Sequence, residues 1–232
     1  MYGPAKFVTY AISEIRRKIW LEPFRNSYSQ NGEDLLIHKI LKNKKKGFYV
    51  DIGTNDPVRF NNTKHFSVIG WKGINIEPDI NCFVHIQKDR PRDINLNIGV
   101  GNSKSKLTFF KLNPDTLSTF SQKDAKKSMR MGYTLVSKNN IQVKPLSEIL
   151  KNFLKNKTID FMSIDTEGYD KYVLQSNNWS KYRPRIICVE SVEHNEKHIG
   201  KDTGLGAFFA KIGYKKYIDN GINCIYLDKI SQ

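Results

Sequence analysis

Gly47 Phe48 Tyr49 Val50 Asp51 Ile52 Gly53 Thr54 Asn55 is followed further along the chain by Gly73 Ile74 Asn75 Ile76 Glu77 Pro78 Asp79. Each is a short apolar run closing on an acid, the pattern of a buried parallel strand whose carboxyl end carries a carboxylate toward a ligand. Gly53 permits a tight turn and a close backbone approach, while Asp51 and Asn55 supply polar groups at the rim of the crevice. Glu77 falls one strand over, where a carboxylate can accept hydrogen bonds from both hydroxyls of a ribose. The pair reads as a nucleoside site. A dinucleotide calls for a Gly-x-Gly-x-x-Gly loop around its pyrophosphate, and Gly53 is followed by Thr54, Asn55, Asp56, Pro57, Val58 and Arg59 with no second glycine. S-adenosylmethionine has no phosphate, so one glycine with polar neighbours suffices, and Asp51 or Asp56 can face its sulfonium or ammonium charge.

Outward from these strands the chain alternates. Strands are expected near residues 47–52, 73–77, 94–99, 106–111, 159–164 and 185–190, with helical or loop crossovers between most of them. Such alternation implies an α/β protein with a Rossmann-like, mainly parallel, doubly wound sheet covered on both faces. Tyr214 to Ile218, the turn Asp219 Asn220 Gly221 and Ile222 to Leu227 read as a C-terminal antiparallel hairpin closing the sheet. A parallel nucleoside-binding sheet finished in this way has the outline of the class I methyltransferase fold. Tyr28 to Asp34 reads as a polar turn entering a helix that ends at Lys42, Lys44, Lys45 and Lys46, a solvated helix end. Residues 113–140 are polar and lysine-rich without an apolar period, and are expected to form a lid or flexible insertion.

The chain has 232 residues and a formal net charge of +15. That length suits one domain, here residues 26–232, and the charge points to an anionic partner. Residues 1–25 read as an N-terminal amphipathic helical extension, with Phe7, Ala11, Ile15 and Ile19 at helical spacing beside Arg16, Arg17 and Lys18. Packing against the domain or a partner subunit is its plainer use, and peripheral contact with an anionic membrane the sharper one. Cys82, Cys188 and Cys224 have no metal-type spacing, and an odd count argues against a disulfide framework. With no long apolar run and no signal-peptide core, the expected place is the cytoplasm, extending to the inner face of the membrane if the basic helix binds there.

A second constellation, Ile159 Asp160 Phe161 Met162 Ser163 Ile164 Asp165 Thr166 Glu167 Gly168 Tyr169 Asp170, is another buried strand ending in acids. In a doubly wound sheet it neighbours the first strand, so Asp165 and Glu167 open into the same crevice as Asp51. Methyl transfer is an in-line displacement, and an alcohol acceptor must lose a proton as it attacks. Asp165, Glu167, Glu190 and His194 are the candidate bases, and close carboxylates raise one another's pKa. Asp165, Glu190 and His194 could instead hold a divalent metal that orients the acceptor, although a metal-free site is the preferred reading. Asp170 is read as a helix-start acid.

The chain resembles the FkbM family of S-adenosylmethionine-dependent methyltransferases, which mostly methylate hydroxyls of sugars or secondary metabolites. The resemblance runs from about Tyr28 to Glu190. It is carried by Ser29 Gln30 Asn31 Gly32 Glu33 Asp34, the Val50 to Asn55 turn, Asn62 Thr63, Gly70 Trp71 with Gly73, Ile76 Glu77 Pro78, Arg90 with Asp93, Ile164 to Gly168, and Arg183 Pro184 with Val189 Glu190. It implies that Asp51, Gly53 and Asn55 line the methionine end of the cofactor and that Glu77, with Pro78 beside it, binds the ribose. It also implies that Gln30 and Thr63 approach the cofactor and that Asp165 and Glu167 face the reacting centre. Thr54 departs from the alanine common in the family.

The expected activity is therefore O-methylation of a sugar hydroxyl in a polysaccharide, glycolipid or nucleotide-sugar precursor, with a small-molecule or glycan acceptor of anionic character. The alternative is an RNA or other nucleic-acid methyltransferase or binding protein on the same fold. Dispersed basic residues, and aromatics not interleaved with arginines, argue against it. A membrane-associated protein without turnover is a third reading, opposed by the acids at all three strand ends.

Overall fold

The computed structural model describes residues 26–190 and 204–230, so the N-terminal extension and His194 lie outside the described residues. Phe48–Ile52 forms β1, with all five residues buried. Phe48, Val50 and Ile52 enter one apolar layer and Tyr49 the opposite one, as the two-residue period of a strand requires. A strand covered on both faces is apolar nearly throughout, which is why the run before Gly53 decides the fold, and its one charged residue, Asp51, is paired with buried Arg90.

β1 lies between β2 (Lys72–Ile76) and β7 (Phe161–Ile164), parallel to both. β3 (Ile94–Leu96) extends the sheet beyond β2, and β8 (Ile186–Glu190) runs parallel beside β7. β9 (Tyr214–Asp219) and β10 (Asn223–Asp228) close it as an antiparallel hairpin, giving the order β3-β2-β1-β7-β8-β10-β9. This is the class I methyltransferase arrangement. Its register pairs Ile52 with Ile76 and Ile164, and Ile164 with Val189. The residues that follow, Gly53, Glu77, Asp165 and Glu190, therefore leave the sheet side by side at one edge.

One face of the sheet is covered by α5 (Leu146–Phe153), α6 (Asp170–Gln175) and α7 (Leu205–Lys211), through Ile149, Leu150, Val173, Leu174 and Phe209. The other is covered by α1 (Glu33–Ile40) and α2 (Lys64–Val68), through Ile37 and Phe66. Between β2 and β3 runs α3 (Ile80–Asp89), whose N-cap Asp79 accepts from Asn81 N at 2.8 Å. Among the described residues no helix is long and apolar enough to cross a membrane.

Some expectations are corrected. The 94–99 strand stops at Leu96, and Gly99–Val100 is a separate short strand, β4. The 106–111 strand is the middle of β5 (Ser105–Asn113), which lies outside the main sheet and pairs with β6 (Thr134–Lys144) in a second sheet of order β4-β6-β5. Residues 113–140, expected to lack regular structure, hold a 3-10 turn (Asp115–Leu117), helix α4 (Gln122–Arg130) and the start of β6. α4 buries only Ala125, so no apolar period marks it, and it is set by its cap, where Ser121 Oγ accepts from Asp124 N at 3.2 Å. In the lysine cluster after α1, Lys42, Lys45 and Lys46 are exposed as expected, while Lys44 Nζ donates to buried Asp160 at 2.7 Å.

Candidate active site

At the carboxyl edge of the main sheet lies a cavity of about 520 Å³, walled by the turns after β1, β2, β7 and β8 and roofed by the inserted residues Asp115 to Phe120. Gln30, Gly53, Asn55, Glu77, Pro78, Asp165, Glu167 and Glu190 all line it. A crevice at the strand ends, where the crossovers diverge, is where such sheets bind ligands.

In the half after β1 and β2, Glu77 is the central group. Its Oε2 accepts from Asn55 N at 2.8 Å and its Oε1 from Asp79 N at 2.7 Å, so two of its roughly four lone-pair directions remain for a ligand. Burial raises its pKa from 4.5 to about 7, against the pull of those two N–H donors. Asn55 holds φ at +49° to present its N–H to Glu77, a strained geometry of the kind that persists where the surroundings fix it. Gly53 has φ at +78°, and a Cβ there would sit 1.8 Å from the carbonyl oxygen of Asp165. The close approach that demands glycine is thus between two strand ends of the protein itself. Gln30 is positioned by Glu33, whose Oε2 accepts from Asn31 N and whose Oε1 accepts from the side-chain amides of Asn220 and Asn223, each at 2.8 Å. This clasp joins the Gln30 turn to the hairpin turn, whose Gly221 and Ile222 complete the wall.

Asp51 and Thr63, expected against the cofactor, do not line the cavity. Asp51 Oδ2 accepts from Thr63 Oγ1 at 2.6 Å and lies 3.6 Å from Arg90 Nη1. The fully buried Arg90 donates further to Thr63 Oγ1, Asn61 Oδ1, Asn75 Oδ1 and Pro57 O, at 2.7 to 2.9 Å. A buried guanidinium must be paired and hydrogen-bonded, and Asp51 and Thr63 are committed to it. They hold the 54–63 turn from behind. Asp56 likewise caps its own turn, accepting from Val58 N and Arg59 N at 2.8 and 2.9 Å.

The half after β7 and β8 is acidic. Asp165, Glu167 and Glu190 bring carboxylate oxygens within 4.8 Å of one another. Burial, then the charges of Asp170 and Asp51, raise Asp165 to about 7. Burial, then the charge of Asp165, push Glu167 and Glu190 well above the usual carboxylate range. Asp165 Oδ1 is sealed from solvent and accepts no hydrogen bond. Glu167 adopts φ of +52° and Gly168 +88°, a double left-handed turn held by Asp170, whose Oδ1 accepts from Thr166 N and Oγ1 at 2.9 Å. Asp170 is thus the structural helix-start acid expected.

Several lining residues carried no functional signal in the sequence. Phe109 of β5 meets Phe120 of the insertion with ring centroids 5.0 Å apart, Phe120 meets Tyr169 at 5.6 Å, each pair tilted, and all three line the cavity. Asp124 packs against Gly168, beside the acids. The Ser121-x-x-Asp124 spacing is a helix-start signature that could have located α4 and brought Asp124 to notice. Arg59 is the single basic residue among the described lining residues, against six acids. The three cysteines are free and buried, and burial raises each thiol, which removes them as nucleophiles.

Residues 51–215 match the family model of the methyltransferase FkbM domain. Among solved structures, a TehB-like SAM-dependent methyltransferase from Corynebacterium glutamicum is 11% identical, with 98% of this chain and 100% of that one covered at a TM-score of 0.41. The delta-N METTL16 MTase domain is 12% identical over 84% and 78% of the two chains, at a TM-score of 0.37. No curated protein sequence matches the chain.

Proposed function

Because the chain belongs to the FkbM methyltransferase domain family, and is an S-adenosylmethionine-dependent methyltransferase, we propose that it methylates a hydroxyl of a sugar unit in a polysaccharide, glycolipid or nucleotide-sugar precursor. In this reading Glu77 holds the ribose, Asn55 and Gln30 border the methionine end, and Pro78 lies beside the nucleoside. The reacting methyl points toward Asp165.

The observation that carries the reading is the pairing of a carboxyl with two free lone-pair directions on one side of the cavity and three carboxyls without hydrogen-bonded side-chain partners on the other. An alcohol needs a base at its oxygen, and a carboxylate is one. Bound S-adenosylmethionine would supply an electrophilic methyl group to the hydroxyl oxygen, its carbon–sulfur electron pair going to the sulfur of the leaving S-adenosylhomocysteine. The hydroxyl proton passes to Asp165, the acid of the three held at about 7 and so partly ionised near neutrality. Alignment supplies most of the rate and proton removal about 10²–10⁴-fold.

The acidic lining also refines the expected anionic acceptor. Beside three acids with no cation among them a phosphate or uronate is disfavoured, so in the metal-free site negative charge on the acceptor is placed at the rim, near Arg59. The same lining opposes a nucleic-acid backbone at the reacting end. The test is transfer of labelled methyl from S-adenosylmethionine to a panel of nucleotide sugars, polysaccharides and RNA. Label on a sugar oxygen supports the reading, and label on RNA alone refutes it.

A further inference from the structure

The three acids at the ends of β7 and β8, half-buried at the cavity wall, differ from the protein's buried acids in having no side-chain partner. Asp34 accepts from Ser27, Ser29 and Tyr28 N, Asp160 from Lys44 and Phe48 N, and Asp51 from Thr63. Glu33 and Glu77 are each satisfied by amide donors. None of the ion pairs among the described residues involves Asp165, Glu167 or Glu190, in a chain whose net charge is +15. Scarcity of basic residues therefore does not explain their isolation. Asp165 as a residue keeps some exposure, but its Oδ1 is sealed from water and accepts no hydrogen bond. A buried carboxylate oxygen without a donor is costly unless something positive meets it.

The register accounts for the arrangement. Ile164 pairs with Val189, so Asp165 and Glu190 leave adjacent parallel strands at the same level. The left-handed turn at Glu167 and Gly168 returns a third carboxylate to them, with ligand-capable oxygens of all three within 4.8 Å of one another. Three oxygen donors with neither sulfur nor imidazole among the described residues form a hard set, suited to magnesium or manganese and not to zinc or copper.

We propose that Asp165, Glu167 and Glu190 form a binding site for one divalent cation of the magnesium–manganese class at the acceptor end of the cavity. It departs from the metal reading of the sequence by placing Glu167, not His194, third. An octahedral ion held by three carboxylates keeps positions open toward the cavity, and adjacent oxygens of an acceptor can fill two of them. A bound cation lowers the pKa of its carboxylate ligands, so in the loaded site Asp165 no longer depends on a pKa of about 7. The ion acidifies the acceptor hydroxyl it holds, and the proton passes to a carboxylate oxygen left free of the ion. The inference rests on the proposed sugar acceptor only for what occupies those open positions, and not for the ion itself.

Manganese(II) is the probe, titrated into the full chain without acceptor and followed by the electron paramagnetic resonance of the free ion. The expected result is one ion bound per chain, displaced by magnesium, with affinity lowered at least about tenfold in both Glu190→Gln and Glu167→Gln. Both variants should keep the affinity for S-adenosylhomocysteine, which certifies that they are folded; if one is not, the other carries the comparison. No binding at millimolar manganese, or equal affinity in a folded variant, overturns the site. Manganese bound with no methylation of any glycan supports the site and counts against the sugar reading. Glycan methylation at full rate in chelator, with no manganese bound, does the reverse.

Discussion

Replacing Gly53 by alanine separates two reasons why that position lacks a side chain. If glycine is there to admit a ligand, the empty protein should tolerate Gly53→Ala apart from backbone strain, and only cofactor affinity should fall. The structure assigns the constraint elsewhere, since a Cβ would stand 1.8 Å from the carbonyl oxygen of Asp165. That contact must open by more than an ångström, yet Gly53 N is tied to Ile76 O at 2.9 Å and Asp165 N to Ile52 O at 3.0 Å. The left-handed φ contributes about 1–2 kcal/mol and the forced displacement about 1–3 kcal/mol, so roughly 2–5 kcal/mol of stability should be lost. For a domain of this size that lowers Tm by about 5–20 °C. Gly70→Ala is the matched control, because Gly70 has φ of +94° and a Cβ there would meet nothing within 4 Å, so it should show the backbone part alone. The assay is calorimetric unfolding of both variants without ligand. A Gly53→Ala protein no less stable than Gly70→Ala would refute the reasoning.

Glu77→Ala removes the acceptor of two backbone N–H groups and the proposed ribose contact; titration calorimetry should show S-adenosylhomocysteine bound roughly 10–100-fold more weakly, and unchanged affinity would remove the ribose assignment. Asp165→Asn should bind the cofactor nearly as well as the wild type but lose at least about 100-fold in kcat once an acceptor is in hand, and retained turnover would refute its role as base. Glu77 also predicts a pH dependence of stability. Its folded pKa of about 7 lies above the ordinary 4.5, so its stabilising share is complete below pH 4.5 and is lost as pH rises through 7, about 3 kcal/mol in all. Chemical denaturation of the ligand-free protein across that range should show this loss, and Glu77→Gln should flatten it; equal slopes in the two proteins would contradict the buried-acid account.

Much of the fold was legible because a strand buried on both faces is apolar along most of its length, and Phe48–Ile52, Phe161–Ile164 and Ile186–Glu190 announce themselves in that way. The acids that follow them were legible for the same reason, since each interrupts such a run at its end. The insertion was not. α4 buries one small residue, and β6 leaves most of its length exposed, so neither leaves a period to read. The roles of Asp51 and Thr63 were hidden differently, because what claims them is Arg90, whose link to Asp51 is made in space. A motif marks a residue as coupled to the site without saying whether it touches the ligand or holds the wall behind it.

The clasp at Glu33 has a bearing on how the chain acquires its cavity. Arg90 reaches partners no more than 41 residues away, so the turn behind the half of the cavity after β1 and β2 can be fixed from a local stretch of chain. Glu33 instead meets Asn220 and Asn223, 187 and 190 residues distant. Closing so large a loop has a greater entropic cost and waits on distant chain, so it belongs late in folding. During synthesis, the Gln30 turn must wait until the hairpin has cleared the ribosome before that wall is complete. That wall is then completed last, and a nascent or clipped chain lacking the hairpin is left with an unfinished cavity.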